Sequence, residues 1–534
     1  TYIVTDITVP EGETLILNPG TKFFFHPAQT FTVNGILKAQ GTESDSIIFD
    51  AYEVSTWGGF LLNNATDETI FDYVRISNTF KEGDGAGLSL FNSDPILSNM
   101  TINRCYAEHA FGECMGVAIA ILAGSNPVLT NISISQIRGD GCYGGVVDVL
   151  QSSATLENVT ISEVLSDAVM FLMEGSITAK NLTIHNNDVW SIINADGLDL
   201  LHLNDVQITN NYFYDTAISL SRSYSIINNI TFGNNSRING WWDGEMYGIK
   251  LINSDSTTPD QMSSTFILNS ILWNSSVSVD CTYGDCENSC ESELDNGWDE
   301  PCGTDGCVQD CLGRGCCLSE RIGDGNCDAD LGNWDESDCN LSCYEDDGGD
   351  CEYHYDITPL YIMDYSIAPQ GIEIVVQNSN IQGGEAGIIT YSGQNIDSID
   401  EISLYYENNI DGDPLLYQNG TPGDCLLSEY SPCIDAGIAY FEYDDEVIMN
   451  ISEFNGCAPD MGAFESPYWN EGCEPAEDPG DFTGDGLINV LDIVALVENI
   501  LTAGEYNPVG DLIEDGMLDV LDIVALVNLI LGGG

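Results

Sequence analysis

A four-residue motif, in which Asn or Asp is followed by apolar, polar and apolar residues, recurs along the first half of the chain. The spacing between copies mostly falls in the twenties, as expected for one coil of a solenoid. The segments around the motif alternate and are rich in β-branched residues, which favours short strands. Because each coil of a solenoid pairs with the next, the repeat predicts stacked strands. The copies begin at Asn99, Asn131, Asn158, Asn181, Asp205 and Asn229.

The asparagine at one corner of each coil has a conformational explanation. Asparagine tolerates left-handed backbone and can bond to the neighbouring backbone at a turn. Stacked coils place equivalent side chains about 4.8 Å apart, so identical amides can form a hydrogen-bonded ladder. Copies such as Asn99, Asn131 and Asn158 also match the N-glycosylation sequon. We favour the ladder, because the sequon follows from the strand pattern itself.

Both ends of this region resemble secreted bacterial right-handed parallel β-helix proteins. Residues 1–79 contain motifs typical of the N-terminal region of these proteins, and residues 411–465 contain motifs typical of their terminal segment. The resemblance implies an all-β fold, a right-handed parallel β-helix. The motifs include Val9-Pro10-Glu11-Gly12, Asn18-Pro19-Gly20-Thr21, Trp57-Gly58-Gly59, Ser431-Pro432-Cys433-Ile434-Asp435-Ala436-Gly437 and Asp460-Met461-Gly462-Ala463-Phe464-Glu465.

A coil-like segment returns at 372–381, after a stretch that is rich in cysteine. We therefore predict one β-helix built from residues 1–280 and 356–465. Residues 281–355 would then form an insertion between two of its coils. Insertions of this kind are tolerated on the side of a solenoid and often carry function.

The charge and cysteine content restrict the partners and the compartment. The chain has 86 acidic residues against 12 Lys plus Arg, a net charge of −74, which argues against nucleic acid and anionic membranes. No apolar run is long enough for membrane insertion. Most of the 19 cysteines lie between Cys281 and Cys351, which favours disulfides and a secreted, extracellular protein that is associated with a cell surface or free.

The end of the cysteine-rich stretch resembles a Notch-type repeat, a small disulfide module around one calcium ion. The resemblance rests on Ile322-Gly323-Asp324-Gly325-Asn326-Cys327 and on Asp346-Asp347-Gly348-Gly349-Asp350-Cys351. It implies Asn340, Asp347 and Asp350 as calcium ligands. The spacing between Cys327 and Cys339 is longer than the family pattern, and an acidic disulfide loop without an ion is the alternative.

The C-terminus contains a duplicated loop and helix. Val490–Val497 recurs as Val520–Val527, and an acidic, glycine-containing loop precedes each copy. The loops place oxygen-bearing residues at the positions of an EF-hand loop, including the position where a backbone carbonyl binds. The predicted calcium ligands are Asp481, Thr483, Asp485, Leu487, Asn489 and Asp492 in the first loop, and Asp511, Asp515, Met517, Asp519 and Asp522 in the second.

This duplicated region, residues 479–534 after a linker at 466–478, looks like a dockerin, a module that docks proteins onto cohesin domains. Ile513 occupies the third position of the second loop and cannot bind a cation, so we expect that site to be weaker. The apolar residues of each helix fall on one side. They could pack on each other, or part of this surface could bind a partner.

Two classes of function are compatible with the sequence. Right-handed β-helix proteins include polysaccharide lyases and hydrolases, but the few basic residues of 1–280 are scattered, which disfavours a lyase. A hydrolase needs carboxylates on adjacent coils, and acidic residues are too abundant here to exclude one.

We favour a non-enzymatic structural or adhesive solenoid that assembles into a filament or a cell-surface scaffold. Its expected partners are copies of itself, a cohesin-like or surface protein, and glycans, with Ca²⁺ as the bound ion. The alternative is a secreted carbohydrate-active enzyme on the same scaffold.

Overall fold

The structure is a computed structural model whose dominant element is a parallel β-solenoid of about ten turns. This confirms the parallel solenoid that the repeat predicts. One sheet of 25 strands winds through all the coils. The described residues are 1–53, 55–112, 115–142, 144–235, 246–253, 264–274, 278–279, 307–309, 316–318, 357–364, 373–392, 403–418, 425–470, 473, 480, 482–483, 488, 490–502, 508–513 and 517–532.

The strands are short at the start of the solenoid and lengthen as the corners between its faces become continuous with the strands. They run as β1 (Tyr2–Val4), β2 (Ile7–Val9), β3 (Thr14–Leu17), β4 (Lys22–Phe25), β5 (Phe31–Val33), β6 (Ile36–Gln40), β7 (Ile47–Ala51), β8 (Phe60–Asn63), β9 (Ile70–Glu82), β10 (Leu88–Phe91), β11 (Ile96–Gly112), β12 (Ile119–Leu122), β13 (Val128–Cys142), β14 (Gly145–His185), β15 (Asp188–Thr209), β16 (Tyr212–Ser221), β17 (Ser225–Gly233), β18 (Met246–Asn253), β19 (Ser264–Leu268) and β20 (Ile271–Leu272).

The solenoid continues after the cysteine-rich region. Strand β18 pairs in parallel with a strand that begins at Ile357, and β19 pairs with one that begins at Glu373. The coils on either side of 281–355 are therefore direct neighbours. The remaining strands are β21 (Ser278–Val279), β22 (Cys307–Gln309), β23 (Cys316–Leu318), β24 (Ile357–Asp364), β25 (Glu373–Gln377), β26 (Asn380–Ile381), β27 (Ile388–Ser392), β28 (Ser403–Glu407), β29 (Leu416–Gln418), β30 (Leu426–Leu427), β31 (Tyr440–Tyr443) and β32 (Glu446–Asn450), with a 3-10 helix at Gly384–Gly387.

The core changes character along the solenoid axis. The first coils are filled with stacked aromatic rings: Phe25 lies on Trp57 with ring centroids 4.2 Å apart, and Phe23 lies on Phe49 at 5.3 Å. The Trp57 indole N–H donates to the Ser77 carbonyl at 2.8 Å, so its polar atom is satisfied inside the core. Later coils are filled mainly by isoleucine, leucine and valine, whose branched side chains suit a pleated, buried surface.

The asparagines of the repeat form the ladder that their spacing predicts. The side-chain amide of Asn131 donates to Asn99 at 2.9 Å, Asn158 to Asn131 at 3.0 Å, and Asn181 to Asn158 at 2.8 Å. All four residues have φ between 50° and 56°, in the left-handed region. Each asparagine thus closes a corner of its coil and joins that coil to its neighbour.

A second asparagine ladder lies inside the wall of the solenoid, where Asn187, Asn211, Asn235 and Asn274 are almost completely buried. The Asn187 amide donates to Asn211 at 2.9 Å, and the Asn211 amide donates to Asn235 at 3.0 Å and to the Ile184 carbonyl at 2.9 Å. The same oxygens also accept backbone N–H groups. These side chains supply the hydrogen bonds that the backbone lacks where the coil turns.

We expect Asn211→Ala to lower the free energy of unfolding by about 3 kcal/mol or more. The substitution leaves buried polar groups of Asn187, Asn235 and the backbone without hydrogen-bond partners. Asn131→Gly, in the exposed ladder, is the control, because glycine keeps the left-handed corner, and it should cost about 1 kcal/mol. Urea unfolding followed by circular dichroism would compare them. Equal losses in the two variants would contradict a special role for the buried ladder.

The segment after the last coil folds back onto the side of the solenoid. Asn269 holds it in place: its amide donates to the Ile438 carbonyl at 2.9 Å, and its side-chain oxygen accepts the Ile438 N–H at 2.8 Å. The Ala463 N–H donates to the Thr231 hydroxyl at 2.8 Å. Burial raises the pKa of the Cys433 thiol in this region to about 11. The segment that contains the predicted terminal motifs therefore packs against one face of the solenoid.

The described residues divide into two compact units, and the smaller one comprises residues 455–457 and 469–534. It contains the helices α1 (Val490–Thr502) and α2 (Val520–Gly532), a 3-10 turn at Pro508–Gly510, and a disulfide between Cys457 and Cys473. No helix among the described residues is long and apolar enough to cross a membrane.

Candidate functional sites

The structure describes part of the predicted calcium ligands. Thr483 and Asp492 of the first loop lie in described positions, as do Asp511, Met517, Asp519 and Asp522 of the second. The other ligands lie outside the described residues: Asp481, Asp485, Leu487 and Asn489 of the first loop, Asp515 of the second, and Asn340, Asp347 and Asp350 of the cysteine-rich region.

In the first loop, the carboxylate of Asp492 turns inward from the first turn of α1 and is completely buried. Its Oδ1 atom accepts the Thr483 N–H at 2.9 Å and the Thr483 hydroxyl at 2.7 Å. This contact joins the third position of the loop to the twelfth. It closes the loop around the start of the helix, where the positive end of the helix dipole also favours a carboxylate.

The second loop repeats this arrangement. Asp522 is buried in the first turn of α2, and its Oδ1 atom accepts the Ile513 N–H at 3.2 Å. Its other oxygen accepts the Asp519 N–H at 2.9 Å, while Asp519 itself accepts the Leu521 N–H at 2.7 Å and caps the helix. The two loops therefore share one backbone scheme, although Ile513 offers no side-chain oxygen where Thr483 does.

The composition of this unit fits a bound divalent cation. Asp492, Asp511 and Asp522 are buried, and the sequence from 469 to 534 contains no Lys, Arg or His that could neutralise them. Oxygen ligands from carboxylates, a hydroxyl and the backbone are those that calcium prefers. Among the described residues, no three acidic, His or Cys side chains converge as a metal cluster. The acidic residues Asp481, Asp485 and Asp515 would have to complete the sites.

Both helices expose the same apolar positions. Val490 is 62 % exposed and its counterpart Val520 is 63 % exposed, and the pairs Leu491/Leu521 and Val494/Val524 are exposed to similar degrees. In contrast, Leu496 and Leu526 are completely buried. The packing of α1 and α2 thus uses only one side of each helix and leaves a duplicated apolar face uncovered within the described part of this unit.

Most of the basic side chains described on the solenoid take part in local contacts. The guanidinium of Arg222 pairs with Asp196, and the ammonium of Lys250 lies 3.4 Å from Asp215. A proton-abstracting base for a lyase would need a basic group that faces a substrate site. The other engaged cations are Arg75 on Ser77, Lys81 on Ser89, Arg104 on Gln136, and Arg138 over the Tyr106 ring.

One unusual carboxylate, that of Asp148, is not among the residues that the sequence singled out. It is completely buried in β14, and its Oδ1 atom accepts the Gly145 N–H at 2.7 Å. Burial raises the pKa of Asp148 to about 7, while hydrogen bonds from the Gly116 and Phe171 N–H groups oppose that rise. A single acid within the apolar run Gly145–Leu150 was the available signal. Because solvent and substrate cannot reach it, we assign Asp148 a structural role.

Comparison with known proteins shows no family. No family model matches the chain, and no solved structure matches it significantly. A curated protein, the metabotropic glutamate receptor-like protein P of Dictyostelium discoideum, is 30 % identical over 139 residues. That match covers 26 % of this chain and 9 % of the receptor-like protein, so the chain is similar to a small part of a much longer protein.

Proposed function

We propose that the chain is a non-enzymatic, extracellular structural or adhesive protein that is held in an assembly through its C-terminal helices. The observation that carries this proposal is the duplicated apolar face of Val490, Leu491 and Val494 with Val520, Leu521 and Val524. Exposed apolar faces of this kind mark protein contacts. The solenoid supplies a rigid body, because every coil is hydrogen-bonded to its neighbours along the sheet.

The finer features of the proposal come from sequence resemblance. They are the right-handed coil, a Notch-like calcium module at 281–355 and a dockerin-like domain at 479–534. A dockerin-like domain would bind a cohesin-like or surface protein, or a second copy of the chain. Buried Asp492 and Asp522, in a unit without basic residues, support calcium as the ion that stabilises this domain.

The net charge sets a condition on assembly. At −74, two copies of the chain repel each other strongly at low ionic strength. Assembly should therefore need calcium to neutralise facing carboxylates, or salt to screen them. The engaged basic side chains of the solenoid support a non-catalytic role, because a lyase would need such a group at its substrate.

We expect Leu491→Asp combined with Leu521→Asp to abolish docking without unfolding the chain, since both side chains are more than half exposed. Val447→Asp, at an equally exposed apolar position on the hairpin β31–β32, is the matched control. Light scattering in millimolar calcium would measure self-assembly, and immobilised cohesin domains would measure heterologous docking. If the unmodified chain stays monomeric and binds no cohesin, the proposal is wrong.

A further inference from the structure

Trp190 is unusual for its position on the solenoid. It is 48 % exposed, and among the described residues from 5 to 404 it is the only Phe, Tyr or Trp side chain that is exposed. The buried Trp57 shows the ordinary role of tryptophan in this fold, with its ring in the core and its N–H satisfied. Trp190 contributes no comparable packing, and leaving so large an apolar ring in water is unfavourable.

A β-bulge in the neighbouring strand lies beside this ring. In the pairing of β15 with β16, Val189 lies opposite Phe213 and Ser191 lies opposite Thr216. Two residues, Tyr214 and Asp215, therefore stand against Trp190 alone. Bulges bend a strand locally and re-aim the side chains next to them. The irregularity thus concentrates an indole, a phenol and a carboxylate at one point of an otherwise regular wall.

The surroundings of Trp190 combine an aromatic surface with acceptors. Its ring stacks on that of Tyr214 in the next coil, with centroids 5.7 Å apart and planes inclined by 17°. On the other side, the pairing of Ser166 with Val189 and of Ala168 with Ser191 places Asp167 opposite Trp190. Asp215 is held by the Lys250 ammonium at 3.4 Å. Carboxylates thus occupy the coils on both sides of the exposed ring.

We propose that this surface, Trp190 with Tyr214, Asp167 and Asp215, is a binding site for a neutral polysaccharide. The apolar face of a sugar ring packs against an indole, and its hydroxyl groups donate to carboxylate oxygens. Those two kinds of contact are what this surface offers. An anionic polymer is disfavoured, because its charges would meet Asp167 and Asp215 on a chain of net charge −74.

The orientation of the site follows from the solenoid. Neighbouring coils are about 4.8 Å apart, which is close to the length of one sugar unit in an extended glycan. Asp167, Trp190 and Tyr214 lie on three successive coils, whereas Tyr247 in the following coil is paired with the buried Thr216 and stacks on the buried Tyr361 at 4.2 Å. A glycan bound parallel to the solenoid axis would place successive sugars on successive coils.

The test measures binding of the full chain, in calcium, to β-linked hexasaccharides of glucose and of xylose by calorimetry, with polygalacturonate as the anionic comparison. We expect one of the neutral sugars to bind, and Trp190→Ala to weaken that binding by roughly ten-fold or more. Asp167→Asn should weaken it by a smaller factor, while Trp190→Phe should retain part of it. Thermal unfolding of each variant checks the fold.

Tyr405→Ala is the matched control, because Tyr405 is 49 % exposed on a distant coil and should be dispensable for binding. Failure of both neutral hexasaccharides to bind, equal binding by Trp190→Ala, or preference for polygalacturonate would overturn the site. Release of shortened sugars together with Trp190-dependent binding would support the site and would count against the non-enzymatic role proposed above, so the two proposals fail separately.

Discussion

Chelation of calcium is expected to unfold the helices α1 and α2 while the solenoid keeps its strands. Asp492 and Asp522 are buried at the starts of these helices, in a segment without Lys, Arg or His. Buried carboxylates that lack a cation oppose folding through desolvation and mutual repulsion. A calcium ion at one hundred times its dissociation constant contributes about 2.7 kcal/mol per site. The loss of two such sites is large for a unit of two short helices.

The measurement is helical circular dichroism and limited proteolysis during titration with chelator, with magnesium added back as the control for specificity. Asp492→Asn should reproduce the effect of chelator in the first loop, and Asp445→Asn, at an exposed position in the turn of the hairpin β31–β32, should not. Ile513→Asp should strengthen calcium binding, because it restores an oxygen where the second loop has none. Helices that persist unchanged in excess chelator would contradict calcium-dependent folding.

The repeat predicted the stacked coils and the exposed ladder because both depend on local spacing. Asn131 and Asn158 sit at equivalent corners, 27 residues apart, and a repeat of about this length is enough to place them in contact. The buried ladder of Asn187 and Asn211 was not predicted. Three of its residues, Asn187, Asn211 and Asn235, directly follow corner asparagines, and nothing local distinguishes a side chain that turns inward from one that faces water.

Long-range contacts were equally inaccessible to sequence reasoning. The contact of Asn269 with Ile438 joins residues 169 positions apart. The sequence around one of them therefore contains no information that points to the other. The grouping of Trp190 with Tyr214 and Asp215 depends on a bulge between two strands, which is a property of their pairing and not of either segment alone. The two loops could be proposed as calcium sites from the sequence because their predicted ligands, capping residues and helices lie within one short window that occurs twice.

The buried carboxyl group of Asp148 is expected to contribute less to the stability of the solenoid as the pH rises. Its pKa is about 7 in the folded chain against an ordinary value of 3.8. The folded state therefore holds a proton that the unfolded state loses between these values. The contribution of Asp148 to stability falls as the pH rises through this interval and levels off above it, and the full shift corresponds to about 4 kcal/mol as an upper bound.

Burial of His185 has the opposite effect on the pH dependence of stability. Burial lowers the pKa of His185 from 6.5 to about 4, so the folded state resists a proton that the unfolded state accepts. Its contribution is therefore fully present above about pH 6.5 and is lost as the pH falls towards 4. Between about pH 4 and 6.5 the contributions of Asp148 and His185 to stability therefore change in opposite directions and largely cancel, so the effect of Asp148 has to be measured against a variant that lacks its carboxyl group.

We expect Asp148→Asn to stabilise the solenoid by about 2 kcal/mol near pH 8 and to destabilise it by about 1 kcal/mol near pH 5. At the higher pH the variant removes a buried charge. At the lower pH it replaces a neutral acid by an amide whose N–H groups lie where the Oδ2 atom of Asp148 has no hydrogen-bond partner. Urea midpoints of both proteins, with exposed Asp445→Asn as the control, measure this change of sign. A difference that is the same at both pH values would show that Asp148 does not titrate in the folded chain over this range.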